Sequence, residues 1–159
     1  MANRNQMMQR AIRQYKFETK KTEINMHDVA KWVERRLNWK MPIPPDPLDM
    51  LAKQFSAAAR EEIRHDKKTH LPYRANHAMV VRQGGQQLTL WIDIDEAPRK
   101  PMLKCLQQRR EQMVGDGLQL TFDQEHWNRI HPDEEPIQLP MDITDDVLWR
   151  INAPGKKAS

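Results

Sequence analysis

The sequence predicts a mainly helical α+β protein, and three observations lead to this fold class. Apolar residues recur at the three- and four-residue spacing of an amphipathic helix in several separate segments. Two β-rich segments, 77–82 and 87–92, flank a pair of glycines and read as a hairpin. Hydrophobic residues make up only 38% of the 159 residues and mean hydropathy is −0.89, so the apolar core must be small.

Two amphipathic helices are expected in the first 40 residues. Residues 4–17 intersperse apolar with basic side chains, which is typical of a helix with a basic outer face. Asn25 suits the N-cap of a second helix, whose apolar residues include Val29 and Val33. Four prolines between residues 38 and 47 then interrupt regular structure, because proline lacks an amide donor and restrains the residue before it.

A third, longer helix is predicted to begin near Asp46, which can cap it, with Pro47 in the first turn. Apolar residues then recur on a side that we expect to face the core: Leu48, Leu51, Phe55, Ala59 and Ile63. The opposite face, at about 100° per residue, carries polar and basic residues: Lys53, Gln54, Ala57, Arg60 and Arg64.

A β-hairpin follows this helix after a polar turn at residues 66–69. Gly84 and Gly85 supply the positive φ angles that a tight hairpin turn requires. The order of helix, helix, long helix and hairpin resembles that of the winged-helix superfamily over roughly residues 4–92. The long proline-containing linker departs from the tighter turn of that family.

The resemblance implies a protein that binds double-stranded DNA. In winged-helix proteins the third helix enters the major groove, where basic side chains reach guanine and glutamine reaches adenine. The resemblance thus gives a recognition role to the outer face of the long helix. The hairpin would form the wing, bringing three more residues within reach of DNA: Arg74, Arg82 and Gln83.

Residues 96–131 are predicted to form a helical extension, following a first domain at 1–95. Four apolar residues lie seven apart, a spacing that indicates packing against another helix, in the chain or in a homodimer: Leu106, Met113, Leu120 and Trp127. Gly115 and Gly117 leave a second prediction open, in which the helix breaks into 101–114 and 118–131.

The third predicted region, residues 132–159, is an acidic and partly flexible tail. Near its end, apolar residues including Trp149 form a short amphipathic segment suited to docking. Residues 1–40 contain ten basic and four acidic side chains, whereas residues 115–159 contain four and nine. The basic front suggests a polyanion as partner, and the acidic back suggests a basic partner, a mimic of nucleic acid or a role in solubility alone.

No catalytic template is met, and we predict no enzyme, metal site or cofactor. Asp93, Asp95 and Glu96 follow a strand as the carboxylates of metal nucleases do, but the accompanying Glu-x-Lys motif is absent and helix capping explains them. The histidine spacings match no zinc site. Cys105 is the single cysteine and is expected to be a buried, inert thiol in a reducing compartment.

The sequence therefore favours a cytoplasmic, non-catalytic regulator or accessory factor that binds double-stranded DNA, with no membrane-spanning segment. A second hypothesis is a protein-interaction adaptor that uses the seven-residue pattern and the Trp149 segment. A third combines them, with the acidic tail masking the basic face. A metal-dependent nuclease is the least favoured class.

Overall fold

A computed structural model describes residues 2–153, and within them the chain forms five helices and two antiparallel hairpins. The predicted fold class, mainly helical α+β, is confirmed. The chain divides into two compact units, with the boundary between Met50 and Leu51. The elements are α1 (Arg4–Thr19), α2 (Met26–Leu37), α3 (Pro47–Glu61), β1 (Ile63–His65), β2 (Pro72–Arg74), β3 (Asn76–Gln83), β4 (Gln86–Asp93), α4 (Arg99–Ile130) and α5 (Thr144–Asn152).

The first unit is built from α1 and α2, and local capping sets where each helix begins. Asn3 forms a capping box at the start of α1, and the side chain of Asn25 accepts the N–H of His27 at 2.8 Å, as expected for the predicted cap. The two helices meet through an edge-to-face contact between Tyr15 and Trp32, whose ring centroids are 5.7 Å apart.

The wing, residues 76–93, confirms the predicted hairpin. Gln83 pairs with Gln86 across a two-residue turn, in which Gly84 and Gly85 have φ angles of 57° and 76°. Positive φ at both turn positions matches the twist of the two strands, so the glycines fix the register. That register continues to the pairing of Asn76 with Asp93.

A second hairpin, β1 with β2, was not anticipated from the sequence. Ala75 joins it to the wing: its N–H donates to the carbonyl of Glu62 at 3.0 Å, and its carbonyl accepts the N–H of Ile94 at 2.9 Å. Ala75 is completely buried, so its small side chain allows both hairpins to approach this one peptide.

Helix α4 runs without interruption from Arg99 to Ile130, so the predicted alternative of a break at the glycines is wrong. It packs against β3 and buries Cys105 completely, as predicted for an inert thiol. Gln108 bonds twice to the backbone of Val80: its Nε2 donates to the carbonyl at 3.0 Å, and its Oε1 accepts the N–H at 2.9 Å. One edge of the wing is thereby bonded to α4.

After α4 the chain reverses and follows the helix backwards as an arm, residues 132–143. Asn128 exchanges two hydrogen bonds of 2.8 Å with the backbone of Ile137, and Gln124 accepts the N–H of Leu139 at 2.8 Å. The predicted tail is therefore held on α4 in this part, and α5 follows it. No helix within residues 2–153 has the length and apolar character needed to cross a membrane.

Candidate nucleic-acid interface

The predicted recognition positions on α3 lie on an open surface. Lys53, Gln54 and Ala57 are all exposed, and no residue of α3 is buried. Two contacts hold the end of this helix to the wing. Asn76 Nδ2 donates to the carbonyl of Ala59 at 3.1 Å, and the guanidinium of Arg60 lies 5.4 Å from the centre of the Trp91 ring. Helix and wing are thus fixed next to each other, with Arg60 engaged in a cation–π contact.

The predicted core side of α3 is wrong. Leu51 and Phe55 were expected to face inward, but they are 47% and 68% exposed. The half-buried positions are Ser56 and Ala59, roughly a quarter turn away around the helix. The segment with the regular apolar spacing does form a helix, but nothing within residues 2–153 buries the apolar side of that helix.

Arg64 was predicted on the recognition helix, and this placement is also wrong, because α3 ends at Glu61 and Arg64 lies in β1. Its guanidinium bonds to three carboxylates. Two contacts of 2.9 Å reach Asp93, one of 2.8 Å reaches Asp95, and one of 3.2 Å reaches Glu62. We call this cluster the clasp. A guanidinium held in this way is neutralised and does not face a phosphate chain.

The clasp also accounts for Asp93 and Asp95, two of the carboxylates that resemble those of a nuclease, because both bond to Arg64. Arg64 lowers the pKa of Asp93, and the carboxylates, Asp93 first, raise the pKa of Arg64. The hydroxyl of Tyr73 donates to Asp95 at 3.0 Å; loss of hydration, then this bond, raise the pKa of Tyr73. Among residues 2–153, no group of three or more His, Cys, Asp or Glu is placed to hold a metal ion.

The two hairpins carry the remaining predicted contacts. Arg82 and Gln83 lie at the exposed tip of the wing, and Arg74 is exposed at the end of β2. Sequence reasoning missed Lys67 and Lys68, which line a surface groove of about 850 Å³ between the first hairpin and residues 94–95, directly after β4. The local signal for this loop was Asp66, whose side chain accepts the N–H of Lys68 at 2.8 Å and closes the turn. These hydrogen bonds, with that of Thr69 the strongest, lower the pKa of Asp66.

The predicted partner-binding residues lie on α4 and α5. Leu106, Met113 and Leu120 are 45%, 57% and 42% exposed. Trp127 is half-buried and stacks on His131, with ring centroids 4.3 Å apart. Trp149 in α5 is 72% exposed. The seven-residue pattern therefore lies largely open on the surface of the described chain, rather than packed within it.

The element order, helices followed by a two-stranded hairpin, is compatible with a winged-helix topology. No protein-family model matches this chain, and neither the curated proteins nor the solved structures contain a significant match.

Proposed function

We propose that this protein is a non-catalytic factor that binds double-stranded DNA through the outer face of α3 and the two hairpins. The main support is a set of exposed basic side chains in one continuous stretch of chain. Within residues 2–153, none of them has a carboxylate oxygen within 4 Å: Lys53, Lys67, Lys68, Arg74 and Arg82. Unpaired cations are available to phosphate oxygens.

The proposed contacts follow from the position of each group. Lys53 and Gln54 would reach base edges in the major groove, and the small side chain of Ala57 lets the helix backbone approach closely. Arg82 at the tip of the wing would meet the neighbouring phosphate strand, as wings do in the family that the topology resembles. Arg64 has no direct role in this proposal, because the clasp neutralises it.

The test is fluorescence anisotropy with a labelled duplex, measured over a range of salt concentrations. We expect the triple variant Lys53→Ala, Arg74→Ala, Arg82→Ala to bind at least tenfold more weakly. Each lost phosphate contact lowers the magnitude of the salt slope by about 0.9, so loss of Arg74 and Arg82 lowers it by about 1.8, and loss of Lys53 removes a base contact in addition. Circular dichroism would show that the fold is retained, since all three side chains are exposed.

A matched control removes three exposed basic residues from α4 instead, on the side of the helix opposite Met113: Lys100→Ala, Lys104→Ala and Arg129→Ala. Both variants lose the same net charge. If the proposed face is a specific interface, the control should lose much less affinity for the duplex. Equal losses would show a general charge effect. An unchanged affinity in the first variant would reject the proposed face.

A second candidate function, a protein-interaction adaptor, is favoured by the uncovered apolar side chains of α5. Leu148, Trp149 and Ile151 are all exposed, and a helix of nine residues is too short to be stable without packing. We expect Leu148→Asp with Trp149→Asp to remove a co-purifying protein from nuclease-treated lysate, whereas Arg150→Ala retains it. An unchanged set of co-purifying proteins would count against an adaptor role for α5.

A further inference from the structure

An apolar stripe on α4, formed by Leu106, Met113 and Leu120, lies open between two covered sides of the same helix. At about 100° per residue, the three side chains fall within a narrow sector. Gln124 and Asn128 hold the arm along one edge of it, and Gln108 and the wing lie on the other side of the helix. The arm and the wing therefore border the stripe, but no residue from 2 to 153 buries its three side chains.

The charge of α4 identifies an occupant. Residues 99–110 contain five basic and no acidic side chains, whereas residues 111–130 contain four acidic and one basic. Two such helices repel when they lie parallel, because like ends then meet. In the antiparallel orientation, each basic end lies beside an acidic end, and attraction between opposite charges stabilises the pair.

We propose that the stripe is covered by a second copy of this chain, with the two α4 helices antiparallel and the two-fold axis at Met113. Leu106 and Leu120 are each seven residues from Met113, so Leu106 of one copy lies against Leu120 of the other. Arg109 and Asp116 project from the same side of the stripe at nearly equal distances from the axis. They form an ion pair between the copies, and symmetry repeats it.

Sedimentation velocity of the full chain tests the interface. We expect the wild type to be a dimer at micromolar concentration and Met113→Asp to raise its dissociation constant at least tenfold, because two carboxylates then meet at the axis. Leu118→Asp is the control: this residue is similarly exposed but lies on the other side of α4. A monomeric wild type, or equal effects of both variants, would overturn the proposal.

Charge reversal tests the orientation. Arg109→Asp and Asp116→Arg should each weaken the dimer roughly tenfold, because like charges then face each other. The double variant should restore the wild-type dissociation constant, since both pairs re-form with exchanged signs. A double variant as weak as the single ones would contradict this pairing.

Cross-linking separates the antiparallel from the parallel arrangement. In a Cys105→Ser background, Leu106→Cys on one tagged copy and Leu120→Cys on another should form a disulfide when mixed and oxidised. Leu106→Cys alone should stay uncross-linked, because its counterparts lie at opposite ends of the interface. Efficient cross-linking of Leu106→Cys to itself would show parallel helices and overturn the proposal. Failure of DNA binding would leave each of these outcomes unaffected.

Discussion

Replacing each of the two glycines of α4 by alanine tests whether the arm lies along this helix. A helix that contains glycine in place of alanine is less stable by about 0.5–1 kcal/mol, because glycine loses more backbone entropy on folding. A Cβ added at Gly115 meets no atom within 4 Å. We therefore expect Gly115→Ala to raise the free energy of unfolding by about 0.5–1 kcal/mol, or Tm by about 1–4 °C.

Gly117 differs because a Cβ there would lie 2.9 Å from the terminal methyl of Met141 in the arm. Met141 must move aside, and because this methyl is the far end of a flexible side chain, the cost lies near the lower end of the roughly 0.5–1.5 kcal/mol for a side chain displaced from its preferred rotamer. This cost offsets the gain in helix propensity. We expect Gly117→Ala to raise the free energy of unfolding by less than Gly115→Ala does, with a difference of about 0.5 kcal/mol.

Urea unfolding followed by circular dichroism, at one fixed protein concentration, provides the measurement. In a Met141→Ala background the clash is absent, so Gly117→Ala should recover the full gain seen at Gly115. Equal gains at both glycines in the wild-type background would refute the contact between arm and helix. A loss of stability in Gly115→Ala would refute an uninterrupted helix at that position.

Two further predictions concern the clasp and the cysteine. Because Arg64 lowers the pKa of Asp93, this carboxylate stabilises the fold above its ordinary pKa, and the contribution is lost as pH falls through the lowered value. We expect Arg64→Ala to be less stable than wild type at pH 7 and to lose less stability between pH 5 and pH 2, measured by urea unfolding; parallel pH profiles would contradict this. Burial raises the pKa of the Cys105 thiol, so it should react with a thiol reagent only as fast as the protein unfolds; rapid labelling of the folded protein would contradict the burial.

Elements specified by local chemistry could be predicted from the sequence. The wing follows from two adjacent glycines between alternating strands, and α2 begins where Asn25 can cap it. Each depends on residues within a few positions along the chain. The predicted long form of α4 is likewise set by its own residues, since its two glycines reduce helix stability by only about 1 kcal/mol each.

Elements that depend on distant contacts could not be predicted. The apolar spacing of α3 continues to Ile63 and therefore predicts a helix that includes Arg64. The strand β1 forms there because Arg64 bonds to Asp93, 29 residues later, and because Ala75 bonds to Glu62. No local pattern contains either partner. The same reason explains the missed arm, whose bonds depend on Asn128 and Gln124.

The candidate site was predicted in part. The positions of Lys53, Gln54 and Ala57 on an exposed helix and of Arg82 at a hairpin tip required only periodicity and turn chemistry. The neutralisation of Arg64 required knowledge of charges that lie far away along the chain, since Asp93 and Asp95 are about 30 residues from it. DNA binding and self-association stay predictions for the experiments above.

The double hydrogen bond between Gln108 and Val80 has a consequence for aggregation. Exposed strand edges are templates on which further chains can add. Here a glutamine side chain occupies the N–H and the carbonyl of Val80, in the middle of the β3 edge, while within residues 2–153 no strand adjoins β4. Addition of a further strand is therefore hindered on the β3 side, which disfavours the continuous stacking of strands in a fibril.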